Sequence, residues 1–460
     1  MKHFNRILPP LFLLTLLFSQ VTHAFAEPID EVREIIENYY IKEVPDSILN
    51  QPTIQDITSH LDPYSTYMTK LEYESFTQAI EQELVGIGIV IEEHDLGIMV
   101  LQTLEGGPAN LAGIQAGDII IGVDDYNLEG VSLQTAISYI TGEENTSLRL
   151  TYIEKATGTT KSITVERKKI SLPNVESKML GGNIGYIRLN SFSLDAVEQI
   201  QSAIQSLQNP KGFIFDLRNN GGGYVSSAQN IIGLFPNAQY AFQLRERVGD
   251  SLLYQAIKQE TVFTKPVHIL VNQNSASASE MVSASIKEQT ESTIYGQTTY
   301  GKGSMQSLFL LSDESVFKLT TARFFSPSGA EIDQVGVTPD IITEEGKELV
   351  QSHKDMLLNN YSHYKKLPTL ANVPVDKTFT IKMNTQMNWE GATSKNIELI
   401  HLTGDAVETN LTIVDSKTVK LTSVKPLLSK EKYMLIIHPE WSSKTNRAME
   451  TGTLLEVNVE

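Results

Sequence analysis

The spacing of apolar positions changes character along this chain, and each change predicts a different kind of element. Ile29, Val32, Ile36 and Tyr39 recur at near-helical spacing, so residues 27–83 read as a helical arm. Such an arm is too short to bury much alone and is expected to pack on a neighbour or on a second copy of itself. Over residues 84–168 short β-branched runs take over, among them 88–91, 97–100, 118–123 and 148–152, with one helical stretch at 133–141; this predicts a small β-rich domain. Residues 169–365 alternate strands 184–189, 212–217 and 267–271 with helices 194–207, 224–234 and 278–288, the pattern of a largely parallel sheet covered on both faces. After the linker-like Lys365-Lys366-Leu367-Pro368, residues 371–460 return to short β runs at 378–383, 397–400, 418–421, 433–437 and 454–459, which suggests a β-sandwich.

Composition narrows the chemistry. A chain of 460 residues implies roughly three domains. With 41% hydrophobic and 20% charged residues it fits neither disorder nor a multi-span membrane protein. The net charge of -18 argues against a phosphate-tracking surface and so against nucleic acid. No cysteine is present, which excludes disulfides, thiolate-bound metals and cysteine nucleophiles. The N-terminus carries Lys2 and Arg6, the apolar stretch 7–18, then Ala24-Phe25-Ala26, and no acidic residue before Glu27. That order predicts a signal peptide over residues 1–26, with an uncleaved anchor as the alternative. Either way the folded part is expected outside the cytoplasm, secreted or attached to the outer face of the cytoplasmic membrane.

Chemistry concentrates where strands end. His-Glu-x-x-His and Gly-x-Ser-x-Gly are absent. Residues 296–302 fit the start of a phosphate loop, but Gly303 stands where its magnesium-binding Ser or Thr belongs. His268 sits within a strand, flanked by Val267 and Ile269, which reads as structural. Beyond that strand, Ser275-Ala276-Ser277-Ala278-Ser279-Glu280 opens a helix. A serine there exposes its hydroxyl beside backbone N–H groups able to hold an oxyanion, or else caps the helix. Asp216-Leu217-Arg218-Asn219-Asn220-Gly221-Gly222-Gly223 presents bare N–H groups or is a plain tight turn. In Tyr300-Gly301-Lys302-Gly303 the lysine is either a solvated turn charge or, if buried, an amine able to take a serine proton, with Gln306 placed to orient it.

In these residues the chain resembles the carboxyl-terminal processing proteases, a serine-lysine peptidase family. The resemblance spans residues 28–345 and also rests on Leu61-Asp62-Pro63, Gly86-Ile87-Gly88-Ile89, Pro108-Ala109, Ala112-Gly113-Ile114, Gly117-Asp118, Ser326-Pro327 and Pro339-Asp340-Ile341. It implies an α/β core of the ClpP/crotonase type with an inserted PDZ domain at 84–168, behind the helical arm and ahead of a C-terminal all-β Ig-like sandwich. It implies Ser277 as nucleophile, Lys302 as base and Gln306 as assistant, with oxyanion donors at the N–H groups of Ala278 and of Gly222 or Gly223. The acidic position that some members carry in the following helix falls on Glu288. Gly86, Ile87, Gly88 and Ile89 match a carboxylate-binding loop, so the expected partners are protein or peptide substrates with exposed C-termini. No metal or cofactor is implied. Further expectations are a homodimer through the apolar arm (Ile35, Ile36, Tyr39, Tyr40), cell-wall association through the last domain, and PDZ rotation that regulates cleavage with Arg167 tying the domains together. The rival is a catalytically inactive secreted PDZ/Ig-like scaffold.

Overall fold

The computed structural model describes residues 28–390, 392–393 and 396–460; the signal sequence expected over 1–26 lies outside the described residues. At the centre a six-stranded sheet runs in the order Val175–Leu180, Ile184–Leu189, Gly212–Asp216, Val267–Val271, Thr293–Gly296, Ile341–Ile342. Its first pair is antiparallel and the rest are parallel. Every residue of Gly212–Asp216 and Val267–Val271 is buried, because helices cover both faces. Ala196–Ser206, Val225–Ile232 and Ala278–Gln289 pack on one face through Phe213, Phe215, Ile269 and Val271. Glu348–Asn360 packs on the other through Ile214 and Leu270.

A second, five-stranded antiparallel sheet is not anticipated by the local pattern. It runs Thr66–Met68, Val316–Phe325, Tyr240–Glu246, Leu252–Gln255, with Ser304–Leu310 also paired to Val316–Phe325. The long strand hides its period of two by packing on different neighbours along its length. Phe317 and Leu319 meet Val32, Ile36 and Ile54 of the arm, whereas Ala322 and Phe324 join the central core. This accounts within the chain for much of the arm's apolar surface, although Tyr39 stays 54% exposed. Ile36 and Tyr40 are buried within the chain's own fold, Ile35 packs beside them, and Tyr39 lies against Phe309 with ring centroids 5.2 Å apart.

The β-rich insert has its own sheet, Ile89–His94, Gly97–Thr103, Ile119–Val123, Ser147–Ile153, Thr160–Glu166, and its own core around Ile98, Ile120, Leu150 and Val165. The chain enters and leaves it through an antiparallel ribbon, Glu83–Gly86 against Lys168–Ser171. Arg167 does not tie the insert to the core. Its guanidinium donates to the carbonyls of Ile140 (2.8 Å) and Tyr139 (2.9 Å) and to Thr146 Oγ1, so it satisfies the C-terminus of helix Leu133–Ile140 inside the insert.

The C-terminal region pairs a five-stranded sheet (Lys365–Lys366, Leu370–Val373, Thr453–Val459, Lys432–Ile437, Ile397–His401) with a three-stranded one (Thr378–Lys382, Thr418–Ser423, Thr409–Ile413). Phe379, Trp389, Leu399, Leu421 and Val457 fill the space between them. The stretch expected as a linker is not one: Lys365 and Lys366 form a strand parallel to Thr453–Val459. Charge and proline suggested a tether, but the backbone finds a partner that local sequence does not announce.

Candidate active site

Three neighbouring parallel strands end at the same edge of the central sheet, and each delivers one loop of the site. Gly212–Asp216 leads into residues 217–223, Val267–Val271 into the serine turn, and Thr293–Gly296 into the loop bearing Lys302. Ligands gather at this carboxyl edge in sheets of this type. Ser277, Lys302, Gln306, Gly222 and Gly223 all line one cleft of about 400 Å³. The far wall of that cleft comes from helix Lys70–Ile80 through Phe76, Ala79 and Ile80.

Ser277 stands directly before helix Ala278–Gln289 with φ 57° and ψ -113°. A non-glycine residue at positive φ costs about 1–3 kcal/mol and persists only where its surroundings enforce it. Glu280 supplies much of that enforcement. Its fully buried carboxylate accepts from Ser277 N–H (2.8 Å), Thr299 Oγ1 (2.6 Å), Gly301 N–H (2.6 Å) and Lys302 N–H (2.9 Å). One side chain thus clamps the serine turn to the lysine loop. Burial raises its pKa above the ordinary value even against these four donors. The motif around the serine gives Glu280 no role of its own, although the Ser-x-x-Glu spacing is a helix-start signature that could have singled it out. Glu288 instead holds Ser328 through its N–H and hydroxyl, away from the cleft.

The glycine loop is fixed by side-chain amides. Asn220 Oδ1 accepts from Gly222 N–H at 2.9 Å, and Asn220 O accepts from Ala276 N–H and Ser279 Oγ. Gly222 has φ 105°, and a Cβ there would lie 2.9 Å from Ser277 Cβ, so only glycine fits. The expected choice between Gly222 and Gly223 as oxyanion donor is therefore corrected: Gly222 N–H is already spent on Asn220. Among the described residues, the N–H groups of Gly223 and Ala278 have no partner within the chain. Beneath the loop Arg218 bridges the buried Asp216 (2.5 Å) and Glu348 (2.8 Å). Burial opposes its charge, but the two carboxylates outweigh that and raise its pKa.

Lys302 is mostly buried and has no carboxylate partner within ion-pair distance among the described residues. Burial first, then the nearby Lys318, pulls its pKa down from 10.5 to about 8, against the attraction of Asp62 and Glu280. Its amine lies over the Tyr64 ring, 4.8 Å from the centroid, and no hydrogen bond joins it to Ser277 Oγ in this arrangement. Burial and a hydrogen bond with Tyr300 push Tyr64 up to about 12, so it stays neutral beside the amine. Asp62 positions Tyr64 by accepting its N–H at 2.9 Å, and also holds Thr320 Oγ1. Gln306 does not contact the amine: its Nε2 donates to Ser304 Oγ (3.0 Å) and Thr320 Oγ1 (3.1 Å), leaving the acceptor Oε1 as the atom able to meet an ammonium. A register shift between Met305 and Gln306 turns this strand at the cleft.

The other residues that the sequence singles out lie elsewhere or are structural. His268 faces helix Glu348–Asn360, with Nδ1 beside Ser352 Oγ (3.1 Å) and its pKa lowered by burial, far from pairing with Ser277. Residues 296–302 lead into strand Ser304–Leu310, whereas a phosphate loop needs a helix there. In the insert, Ile87 is buried, and the carbonyls of Ile87 and Gly88 accept from Ala109 and Leu104 N–H. Among the described residues the N–H groups of Ile87 and Gly88 are unpaired, and Ile89–His94 is an open sheet edge.

A serine before a helix, glycine-lined N–H groups and a buried unpaired lysine define a serine hydrolase of the acyl-transfer class, and comparison with known proteins gives the family. The model for peptidase family S41 matches residues 183–343, and the PDZ domain model matches residues 75–153. Carboxy-terminal processing protease CtpA of Bacillus subtilis is 33% identical over 68% of this chain and 67% of its own length. The carboxy-terminal-processing protease of Bartonella bacilliformis is 30% identical over 71% of this chain and 77% of its own. Among solved structures, the photosystem II D1 C-terminal processing protease aligns at 23% identity with TM-score 0.45, over 72% of this chain and 96% of that one. The chain belongs to peptidase family S41, the C-terminal processing serine peptidases, and carries a PDZ domain. That membership sets aside the inactive scaffold.

Proposed function

We propose that Ser277 and Lys302 are the catalytic dyad of an extracytoplasmic endopeptidase that cuts protein substrates near their C-termini. The observation that carries this is a serine held at positive φ in the same cleft as a buried lysine whose pKa is pulled to about 8. Neutral Lys302 takes the Ser277 proton, Oγ attacks the scissile carbonyl, and the oxyanion is met by the N–H groups of Ala278 and Gly223. Lys302 then protonates the leaving amine, and water attacks the resulting acyl-enzyme with the same amine as base. Gln306 steadies the amine through Oε1. To reach Ser277, the amine must first swing off the Tyr64 ring. This is a resting geometry that a substrate converts.

The unpaired Ile87 and Gly88 N–H groups and the open strand Ile89–His94 support capture of the substrate's terminal carboxylate, with strand addition along that edge. The ClpP/crotonase type of the core and the Ig-like type of the C-terminal sandwich belong to this proposal as well. So does an extracytoplasmic location, secreted or on the outer face of the membrane, which rests on the residue pattern of 1–26. The test is cleavage of an unfolded protein by purified Ser277→Ala and Lys302→Ala variants. Each should lose at least about a thousandfold in kcat/KM; parental activity in either ends the dyad assignment.

A further inference from the structure

The C-terminal sandwich is one-sided. Its three-stranded sheet is narrower than the five-stranded sheet it faces, and strand Thr378–Lys382 lies at the edge, paired only with Thr418–Ser423. Beside that edge a groove of about 1070 Å³ runs the length of the strand and continues over the inner face of the larger sheet. Its floor is apolar, formed by Phe379, Ile381, Leu435, Ile437, Leu455 and Met449. The groove occupies the place where one more strand would complete the smaller sheet.

The ladder shows what the edge offers. Met383 N–H donates to Lys417 O, and in the antiparallel register Ile381 and Phe379 repeat that inward pairing against Val419 and Leu421. The backbone groups of Thr378, Thr380 and Lys382 therefore point to the open side. A strand of five residues spans about 17 Å, so an incoming extended segment has several main-chain hydrogen bonds to gain. Long open edges are usually blunted, and lysines on the edge are one such device. Here they repel a basic strand but would attract an acidic one. Lys365, Lys377 and Lys382 line the groove with no ion-pair partner among the described residues, and the one acid lining it, Glu450, is held by Arg447.

We propose that this groove is a second peptide-binding site, distinct from the PDZ edge and the cleavage cleft, which takes an acidic, extended segment of a partner protein by strand addition. Alternate side chains of the segment enter the apolar floor, and the intervening acidic ones meet the lysines. The proposal does not depend on the dyad. It identifies where a partner or substrate body can be held while its tail occupies other sites.

The test uses the full chain and two fluorescent octapeptides, alternating Glu-Val and alternating Lys-Val, both acetylated and amidated so that neither offers a terminal carboxylate. Anisotropy should show the acidic peptide binding at least about tenfold more tightly than the basic one. Mass spectrometry afterwards confirms that the probes are intact. Thr380→Pro removes an outward N–H without touching the inward ladder and should weaken acidic binding by about tenfold or more. The double variant Lys377→Glu, Lys382→Glu leaves the backbone alone and should reverse the preference. Equal binding of both peptides, or acidic binding unchanged in the charge variant, overturns the proposal. Should Thr380→Pro unfold the sandwich, the charge variant alone decides.

Discussion

Two β domains are appended to the same catalytic core, and they are attached in opposite ways. The PDZ insert is joined only by the ribbon Glu83–Gly86 and Lys168–Ser171. Among the described residues, no hydrogen bond or ion pair runs from residues 87–167 to the chain outside this stem, and the insert's apolar core contains none of its neighbours. The stem itself is held by its backbone pairing, the buried Val85 and Ile170, and the Lys169–Glu83 ion pair at 2.5 Å. The C-terminal sandwich shares a buried cluster with the core: Ile400, Leu402, Met434, Ile436 and Leu454 interleave with Leu180, Ile184, Met356 and Leu357. His353 is fully buried across this seam, between Leu402 O and Gly181 O, and Lys354 pairs with Glu456 at 2.6 Å. A ribbon permits rotation, and a shared apolar core forbids it.

The domain joined by the ribbon is also the one connected to the cleft. Helix Lys70–Ile80, which forms the cleft's far wall, runs almost directly into the first stem strand. A rotation of the insert would therefore act on a wall of the cleft that holds Lys302. The sandwich sits behind helix Glu348–Asn360, on the opposite face of the sheet from the serine helix.

The largest expected effect is at the seam. Leu357→Ala should lower the stability of the full chain by about 2–5 kcal/mol, with core and sandwich lost in one transition by chemical denaturation. A sandwich that unfolds first while the core remains intact would show that the two are separate units. Next comes replacement of residues 87–167 by an Asn-Gly turn, which closes the stem as a hairpin. The core should stay folded, but its cleft wall loosens. In the parental enzyme kcat/KM for a short internal peptide should rise about tenfold per pH unit up to about 8 and then level, since the neutral fraction of a lysine whose pKa is lowered grows as pH rises through that value. In the excised form Lys302 regains solvent, its pKa moves up toward 10.5, and turnover at pH 7 falls about tenfold for each unit gained. An unchanged pH profile would mean that the insert is only a tether. Leu357→Ala should leave the profile in place.

A smaller shift follows from Lys318→Met. Removing a like charge raises the Lys302 pKa, so the rising limb should move to higher pH by less than about one unit. Movement to lower pH would contradict the charge arrangement. The smallest effect belongs to Glu83→Gln, which deletes the partly exposed stem ion pair and should change stability by no more than about 0.5 kcal/mol in a denaturant titration. A loss several times larger would make the stem a rigid joint.

The legible parts of this protein share one property: their signals are local. The strand-to-helix turns around Ser277 and Gly222, the alternation of the central sheet, and the serine-to-glutamate spacing that ends in Glu280 can all be read within a few residues, because backbone periodicity and capping act over one or two turns. Lys302 was legible as a residue type in a glycine turn, but its depressed pKa was not. That property comes first from burial and then from Lys318, which the second sheet brings beside it. Local pattern also misread what long-range pairing decides. Lys365-Lys366 looks like a tether and is a strand, and Arg167 looks like a domain tie and caps a helix. By itself the sequence determined the family and the strand-to-helix turns at Ser277 and Gly222. Only the tertiary structure decided which groups are desolvated and which domain shares a core with the catalytic sheet, since burial and buried contact belong to pairs of segments far apart in the chain.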